Sequence, residues 1–237
     1  MSEGTRTVTG CCPSSTFSGG QSGTRRIALT FDDGPDPYYT PRILDLLAEH
    51  KVAATFCVLG TYAAAHPDII SRIAAESHLL ACHSMTHADL SCCGEQQTRW
   101  EIMAASRTLQ AVAPTARVQY LRTPYGRWND GARRVAAELG LQPLGWTIDS
   151  RDWSAPGVTE IMDALRQQLH PGGIVLLHDG CLPERKRGCS AGHQDQTLAV
   201  VPLLIRELRH QGLVPGPPLL EALPRLPAAG TPMGYGW

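Results

Sequence analysis

The sequence predicts an α/β fold in a single domain, a barrel of six to seven parallel strands alternating with helices. Two observations predict it. Short apolar runs alternate with amphipathic stretches six or seven times along the 237 residues, which argues a parallel sheet with helical crossovers. Polar residues also end the apolar runs: Asp32 and Asp33, His83, Arg122, Asp149 and His178 each follow a different one. In a closed barrel, parallel strand ends converge on one rim, where barrel active sites lie. In an open sheet they would spread along an edge at about 4.8 Å per strand.

Residues 1–24 are rich in Ser, Gly and Thr and read as a flexible leader. A first strand is expected at 26–31, where Ile27-Ala28-Leu29 runs into Asp32-Asp33-Gly34-Pro35. Thr40-Pro41 reads as an N-cap followed by proline at the first helical position, with Ile43, Leu44, Leu47 and Ala48 on one face. A second strand at 54–59 stops at Gly60, and Pro67 opens a helix with Ile70, Ile73 and Ala74 inward. A third strand at 79–82 ends at His83, and a long helix follows at 95–112. A fourth strand at 118–121 ends at Arg122, and a helix at 130–139 is stopped by Gly140. A fifth strand is expected at 144–148 before Asp149, a helix at 159–169, and a sixth strand at 173–177 before His178. A helix at 196–211 leads to a short seventh strand at 213–214. The domain is thus expected over 25–214, with 215–237 a Pro- and Gly-rich tail.

Composition narrows the function. A hydrophobic content of 43% supports a true core, and a net charge of −1 implies neither a nucleic-acid nor a membrane surface. Residues 1–10 lack an apolar segment, so no secretory signal is read, and the expected location is cytoplasmic. The eight cysteines include the vicinal pairs Cys11-Cys12 and Cys92-Cys93, and Cys57 and Cys82 lie in apolar runs. That is the usage of a reduced protein, with a Cys181–Cys189 loop bridge left as an alternative.

The chemistry-bearing residues have a common reading. Two adjacent carboxylates repel unless their roles divide, and a metal would divide them: one Asp ligates, the other stays free as a base. His83-Ser84-Met85-Thr86-His87 places two imidazoles four residues apart, on one side if the segment turns helically. With Asp33 they make a three-ligand set that leaves a position for water, which suits a catalytic Zn²⁺ or Co²⁺. Such a metal lowers the pKa of its water toward about 7 and polarises a carbonyl oxygen. Asp32 then takes the water's proton, and Arg122 pairs with Asp32. His178 donates a proton to a leaving amine, with Asp152 orienting it. The backbone N–H of Tyr125 faces a developing oxyanion, and Trp153 offers a wall for a sugar ring. Trp128 and Trp146 read as packing. Each signal has a plainer alternative: an Asp-Asp-Gly-Pro surface turn, two unrelated histidines, a surface ion pair for Arg122, a capping role for His178, core packing for Trp153.

Taken together, Thr-Phe-Asp-Asp-Gly-Pro, His-x-x-x-His, Arg-x-Pro-Tyr-Gly, Asp-x-x-Asp-Trp and Leu-Leu-His-Asp-Gly resemble, in order, the motifs of the polysaccharide deacetylase family, carbohydrate esterase family 4. The likeness covers about residues 26–212 and is strongest to its rhizobial nodulation branch. It implies a distorted (β/α) barrel with fewer than eight strands and hydrolysis of an N-acetyl group on a GlcNAc residue. It implies Asp32 as base, Asp33, His83 and His87 as metal ligands, and Arg122 as the residue that positions the base. It also implies Tyr125 as oxyanion donor, Asp152 as the acid that tunes His178, Trp153 as pocket wall, Leu176 as acetyl-pocket residue and His178 as general acid. The nodulation branch implies a chitin oligosaccharide substrate, deacetylated at its non-reducing terminal GlcNAc in the making of a lipochitooligosaccharide signal. The alternatives are a peptidoglycan or other polysaccharide deacetylase, and a sugar-binding barrel without catalysis; the latter would have lost Asp32, a ligand or His178, and none is lost.

Overall fold

The computed structural model describes residues 25–181 and 194–218. The strands are β1 (Arg26–Gly34), β2 (Thr55–Val58), β3 (Leu79–Cys82), β4 (Tyr120–Leu121), β5 (Gln142–Pro143), β6 (Ile148–Asp149), β7 (Ile174–His178) and β8 (Val214–Gly216). The helices are α1 (Tyr39–Glu49), α2 (Gly60–Ala65), α3 (Pro67–Ala75), α4 (Glu95–Val112), α5 (Asp130–Glu138), α6 (Val158–Arg166) and α7 (Asp195–His210). All strand pairings are parallel, in the order β5-β4-β3-β2-β1-β7-β6, and β8 pairs with the start of β1. Among the described residues no ladder joins β5 to β6. The sheet curls into a barrel open along that seam, the distorted barrel that the motifs imply.

The period-2 geometry of a strand sorts its residues. Ile27, Leu29 and Phe31 of β1, Phe56 and Val58 of β2, Leu80 and Cys82 of β3, Leu121 of β4 and Val175 and Leu177 of β7 face outward into one core cluster. The helices cover it with Ile43, Leu44 and Leu47 of α1, Ile70 and Ile73 of α3, Ile102 of α4, Ile161 of α6 and Leu204 and Ile205 of α7. Each such fully buried side chain contributes about 1.5–3 kcal/mol. The alternate residues, Ala28, Cys57, Ala81, Tyr120, Ile174 and Leu176, form a second cluster inside the barrel with Leu144 and Trp146. Small residues on β1, β2 and β3 leave the interior room for polar groups. Because the inward set continues to the strand ends, Asp32, His83, Arg122 and His178 fall on the interior side of the rim. Register brings them level: Asp32 lies opposite His178, and the β2–β3–β4 ladder runs on through His83 N to Val58 O and Arg122 N to Cys82 O.

Several expectations need correction. The fifth strand expected at 144–148 is two short strands, β5 and β6, with 144–147 between them. There the Leu144 and Gly145 carbonyls accept hydrogen bonds from Arg122 instead of joining a ladder. Helix α2 was not expected; it begins at Gly60, two residues after β2 ends at Val58. Thr40 is not the cap of α1. It lies inside the first turn, and Tyr38 holds the cap position without a side-chain hydrogen bond. Pro67 does open α3, and α4 spans the expected residues. Gly140, at φ +66°, ends α5 with its N–H on Ala137 O and Leu141 N–H on Ala136 O. Pro215 and Gly216 belong to β8. The expected leader, Cys11-Cys12, Cys189 and residues 219–237 lie outside the described residues, while Cys181 is disulfide-bonded. Among the described residues no helix is long and apolar enough to cross a membrane.

Candidate active site

Adjacent residues of a regular strand point to opposite faces, so two neighbouring aspartates reach one site only if the strand breaks its own rule. It does so at Asp33. The pairing of β1 with β2 shifts register between Asp32 and Gly34, and Asp33 adopts φ 71°. This bulge turns the Asp33 carboxylate to the same side as that of Asp32. The loop after β7 braces it: Asp179 N–H and Gly180 N–H both donate to Asp32 O. Gly180 packs so closely that a side chain there would collide with Asp33 O.

Asp33, His83 and His87 are all buried, and their ligand atoms lie within 4.8 Å of one another. Asp33 Oδ1 is 3.3 Å from His83 Nε2 and 3.2 Å from His87 Nε2, yet it makes no hydrogen bond. His83 Nδ1 lies 2.8 Å from Arg122 O. A carbonyl can only accept, so Nδ1 carries a proton, and with a cation in place the neutral ring would turn its Nε2 lone pair toward that cation. Three buried ligand atoms that converge without hydrogen-bonding to one another are favourably placed around a cation, and two imidazoles with one carboxylate are a donor set of that kind. The residues therefore fit a divalent metal. Burial alone would raise the Asp33 pKa, but positive charge on the facing rings outweighs it and holds the carboxyl far below its usual range, and a bound cation would act in the same direction. The His-x-x-x-His segment is not helical, as the spacing had suggested. It is an irregular turn with Ser84 at φ 69° and His87 at φ 66°, so a different backbone path brings the two rings together.

Beside this triad, Arg122 is fully buried, and its charge is matched. It donates to Asp32 Oδ1 at 2.6 Å, Thr30 Oγ1 at 2.7 Å, Gly145 O at 2.8 Å and Leu144 O at 3.3 Å. A buried cation needs that saturation. The pair fixes one oxygen of Asp32; the other lies 3.8 Å from His83 Nε2, toward the triad. Across the rim, His178 Nδ1 lies 2.7 Å from Asp152 Oδ1. Asp152 Oδ2 accepts from His178 N–H at 2.8 Å and from Thr197 Oγ1 at 2.7 Å. Burial lowers the His178 pKa, but Asp152 beside it, aided by Asp33 and Asp32, pushes it up to about 10. Burial would raise the Asp152 carboxyl, but its bonds to His178 and Thr197 hold it below the usual value.

These groups open on one cavity of about 260 Å³, lined by Asp32, Asp33, His83, His87, Tyr125, Trp146, Asp149, Trp153, Leu176 and His178. Nearly every residue singled out in the sequence stands in this wall or directly behind it. Tyr125, at φ 58°, sets its ring edge-on to His87 with centroids 4.7 Å apart. Trp146 had read as packing. It is a wall residue, placed there by the irregular segment between β5 and β6, with the Arg122 guanidinium 5.7 Å from its ring. Asp149 also faces the cavity, and the register of β6 sets it beside Leu176. Sequence reasoning missed Thr197 and the buried pair in which Thr40 Oγ1 donates to Asp179 Oδ2 at 2.5 Å. Burial, together with Asp32 and Asp33 nearby, pushes the Asp179 carboxyl up to about 8. Its signal was present in the Leu-Leu-His-Asp-Gly motif; Thr197 lies 45 residues from Asp152 and carries no local sign.

Comparison with known proteins agrees with this geometry. The polysaccharide deacetylase family signature matches residues 19–144. A chitooligosaccharide deacetylase of Rhizobium leguminosarum bv. trifolii is 46% identical over 197 residues, covering 83% of this chain and 91% of that protein. One from Sinorhizobium fredii is 44% identical over 193 residues, covering 81% and 90%. The crystal structure of a peptidoglycan N-acetylglucosamine deacetylase superposes with a TM-score of 0.74 at 31% identity, covering 83% of this chain and 87% of that one. With the signature over half its length and such relatives over 81–83% of it, the chain belongs to the polysaccharide deacetylase family.

Proposed function

We propose that this protein is a metal-dependent chitooligosaccharide N-deacetylase that removes the acetyl group from the non-reducing terminal GlcNAc of a chitin oligomer. The observation that carries the reading is the convergence on one cavity of the Asp33–His83–His87 triad, the Asp32–Arg122 pair and the His178–Asp152 pair. A divalent cation held by Asp33, His83 and His87, Zn²⁺ or alternatively Co²⁺, would supply an acidified water and a polarised acetyl carbonyl. Asp32, fixed at one oxygen by Arg122, takes the proton of the attacking water with the other. The water oxygen bonds to the acetyl carbon as the Tyr125 backbone N–H receives the charge growing on the carbonyl oxygen. His178 passes its proton to the amide nitrogen, the C–N bond breaks, and acetate and a free amine leave. Asp152 keeps the His178 ring aimed and charged. Leu176 lies against the acetyl methyl, and Trp153 flanks the sugar ring.

The choice of a short oligomer rests on the likeness to chitooligosaccharide deacetylases at 44–46% identity. The single-residue site rests on a cavity near the lower bound for small-molecule pockets, room for one sugar and its acetyl group. The freed amine would then be open to N-acylation in the making of a lipochitooligosaccharide signal. We place the reaction in the cytoplasm on the free thiols of Cys57, Cys82, Cys92 and Cys93; the disulfide at Cys181 weighs against that placement. Chitotetraose labelled at its reducing end, incubated with enzyme and Zn²⁺ and sequenced by tandem mass spectrometry, should yield a single product deacetylated at the non-reducing sugar. Products deacetylated at several internal sugars, or activity on peptidoglycan with none on the oligomer, would overturn the substrate assignment.

A further inference from the structure

The two histidines of the triad are held in different ways. The His83 ring is oriented by its own Nδ1–H, which donates to Arg122 O. The His87 ring has no such tether: its Nδ1 is buried without a hydrogen-bond partner. Beyond its ring contacts with Tyr125 and His83, its aim depends on the backbone turn that carries it, and that turn has a left-handed residue at each end, Ser84 at φ 69° and His87 at φ 66°. Side chains with those backbone angles persist only where the surroundings over-determine them.

The over-determining group is Glu101, on α4, which is 2% exposed and has no place in the chemistry above. Its Oε2 accepts from Met85 N–H and Thr86 N–H, both at 2.9 Å, and its Oε1 accepts from Thr86 Oγ1 at 2.6 Å. Ser84 Oγ accepts the next N–H, that of His87, at 3.0 Å. Three successive backbone donors of the turn thus end on side-chain acceptors, two of them on one carboxylate. We propose that Glu101 is a positioning residue for metal binding: it locks the 84–87 turn and thereby sets the His87 imidazole in the triad. This rests on the metal-triad reading under Proposed function.

The test is calorimetric titration of Zn²⁺ into chelator-stripped wild type, Glu101→Ala, Glu101→Gln and Thr86→Val. A group that orients a metal ligand typically accounts for 10- to 100-fold in affinity. Glu101→Ala is expected to bind Zn²⁺ roughly 10- to 100-fold more weakly. Glu101→Gln is expected to stay close to wild type: its amide oxygen accepts both N–H groups and its amide NH₂ donates to Thr86 Oγ1, whose hydroxyl proton turns away. Thr86→Val, which removes one of the three bonds, is expected to fall between them, and it decides the matter if Glu101→Ala does not fold. A purely structural role would lower the melting temperature of zinc-free Glu101→Ala and leave the Zn²⁺ affinity of the variants at the wild-type value, which overturns the proposal. Wild type that binds no Zn²⁺ would overturn the triad reading itself, and that arm needs no variant.

Discussion

Asp32→Asn is expected to keep its metal and lose roughly 10²- to 10⁴-fold in kcat, the span typical of removing a general base. The amide is nearly isosteric, and its oxygen can still accept from Arg122, so the Arg122 network of Thr30, Leu144 and Gly145 stays in place. What disappears is the oxygen that takes the water's proton. Asp33→Ala is expected to do the opposite. It deletes the oxygen that lies within 3.3 Å of both imidazole Nε2 atoms, so bound metal falls well below one per chain. Metal content by atomic emission, measured beside kcat at saturating substrate, separates the two. A metal-free Asp32→Asn with a metal-replete Asp33→Ala would reverse the assignment.

The alkaline limb of the kcat profile should belong to His178. As general acid it must be protonated, so activity falls as pH rises through its pKa. Burial pulls that pKa below the ordinary 6.5, while Asp152, with help from Asp33 and Asp32, lifts it to about 10. A divalent cation at Asp33 cancels part of the carboxylates' contribution, so the working value falls between those limits. Removing the Asp152 charge in Asp152→Asn takes away the largest lifting influence. The limb should then move to lower pH by about one to three units, as expected for a unit charge lost at contact distance in a partly screened site. His178→Ala should abolish the limb, retain metal and lower kcat by roughly 10²- to 10⁴-fold. An alkaline limb unmoved in both variants would remove His178 from proton transfer.

What the sequence makes legible follows from how strands bury. A short apolar run that stops at a polar residue marks a strand end, so Asp32, His83, Arg122 and His178 could be set on one rim from their positions alone. Which face of the sheet they take is shown by the structure, where alternation sets them on the interior side with Ala28, Ala81, Tyr120 and Leu176. The remainder depends on contacts between residues far apart in the chain. The bulge at Asp33 is invisible locally, because Asp-Asp-Gly-Pro also reads as a surface turn; pairing with β2 and the Asp179-Gly180 loop decide it. The His83–His87 spacing suggested a helical turn because i and i+4 share a helix face. Glu101, 14 residues beyond His87, imposes another path. Trp146 read as packing because 144–148 looked like a plain strand. The Leu144 and Gly145 carbonyls of that stretch accept from the Arg122 guanidinium instead. Thr40 looked like a cap because of the proline after it, but its hydroxyl is engaged by Asp179, 139 residues away.

The central claim is that the Asp33–His83–His87 triad holds a metal on which deacetylation of a chitin oligomer depends. It is tested most directly by stripping the protein with a chelator, titrating Zn²⁺ back and measuring acetate released from chitotetraose at each addition. The stripped protein should be inactive, and acetate release should rise in proportion to Zn²⁺ and level off at one equivalent per chain. Stripped protein that releases acetate at the full rate, or protein that binds one Zn²⁺ and releases none, would contradict it.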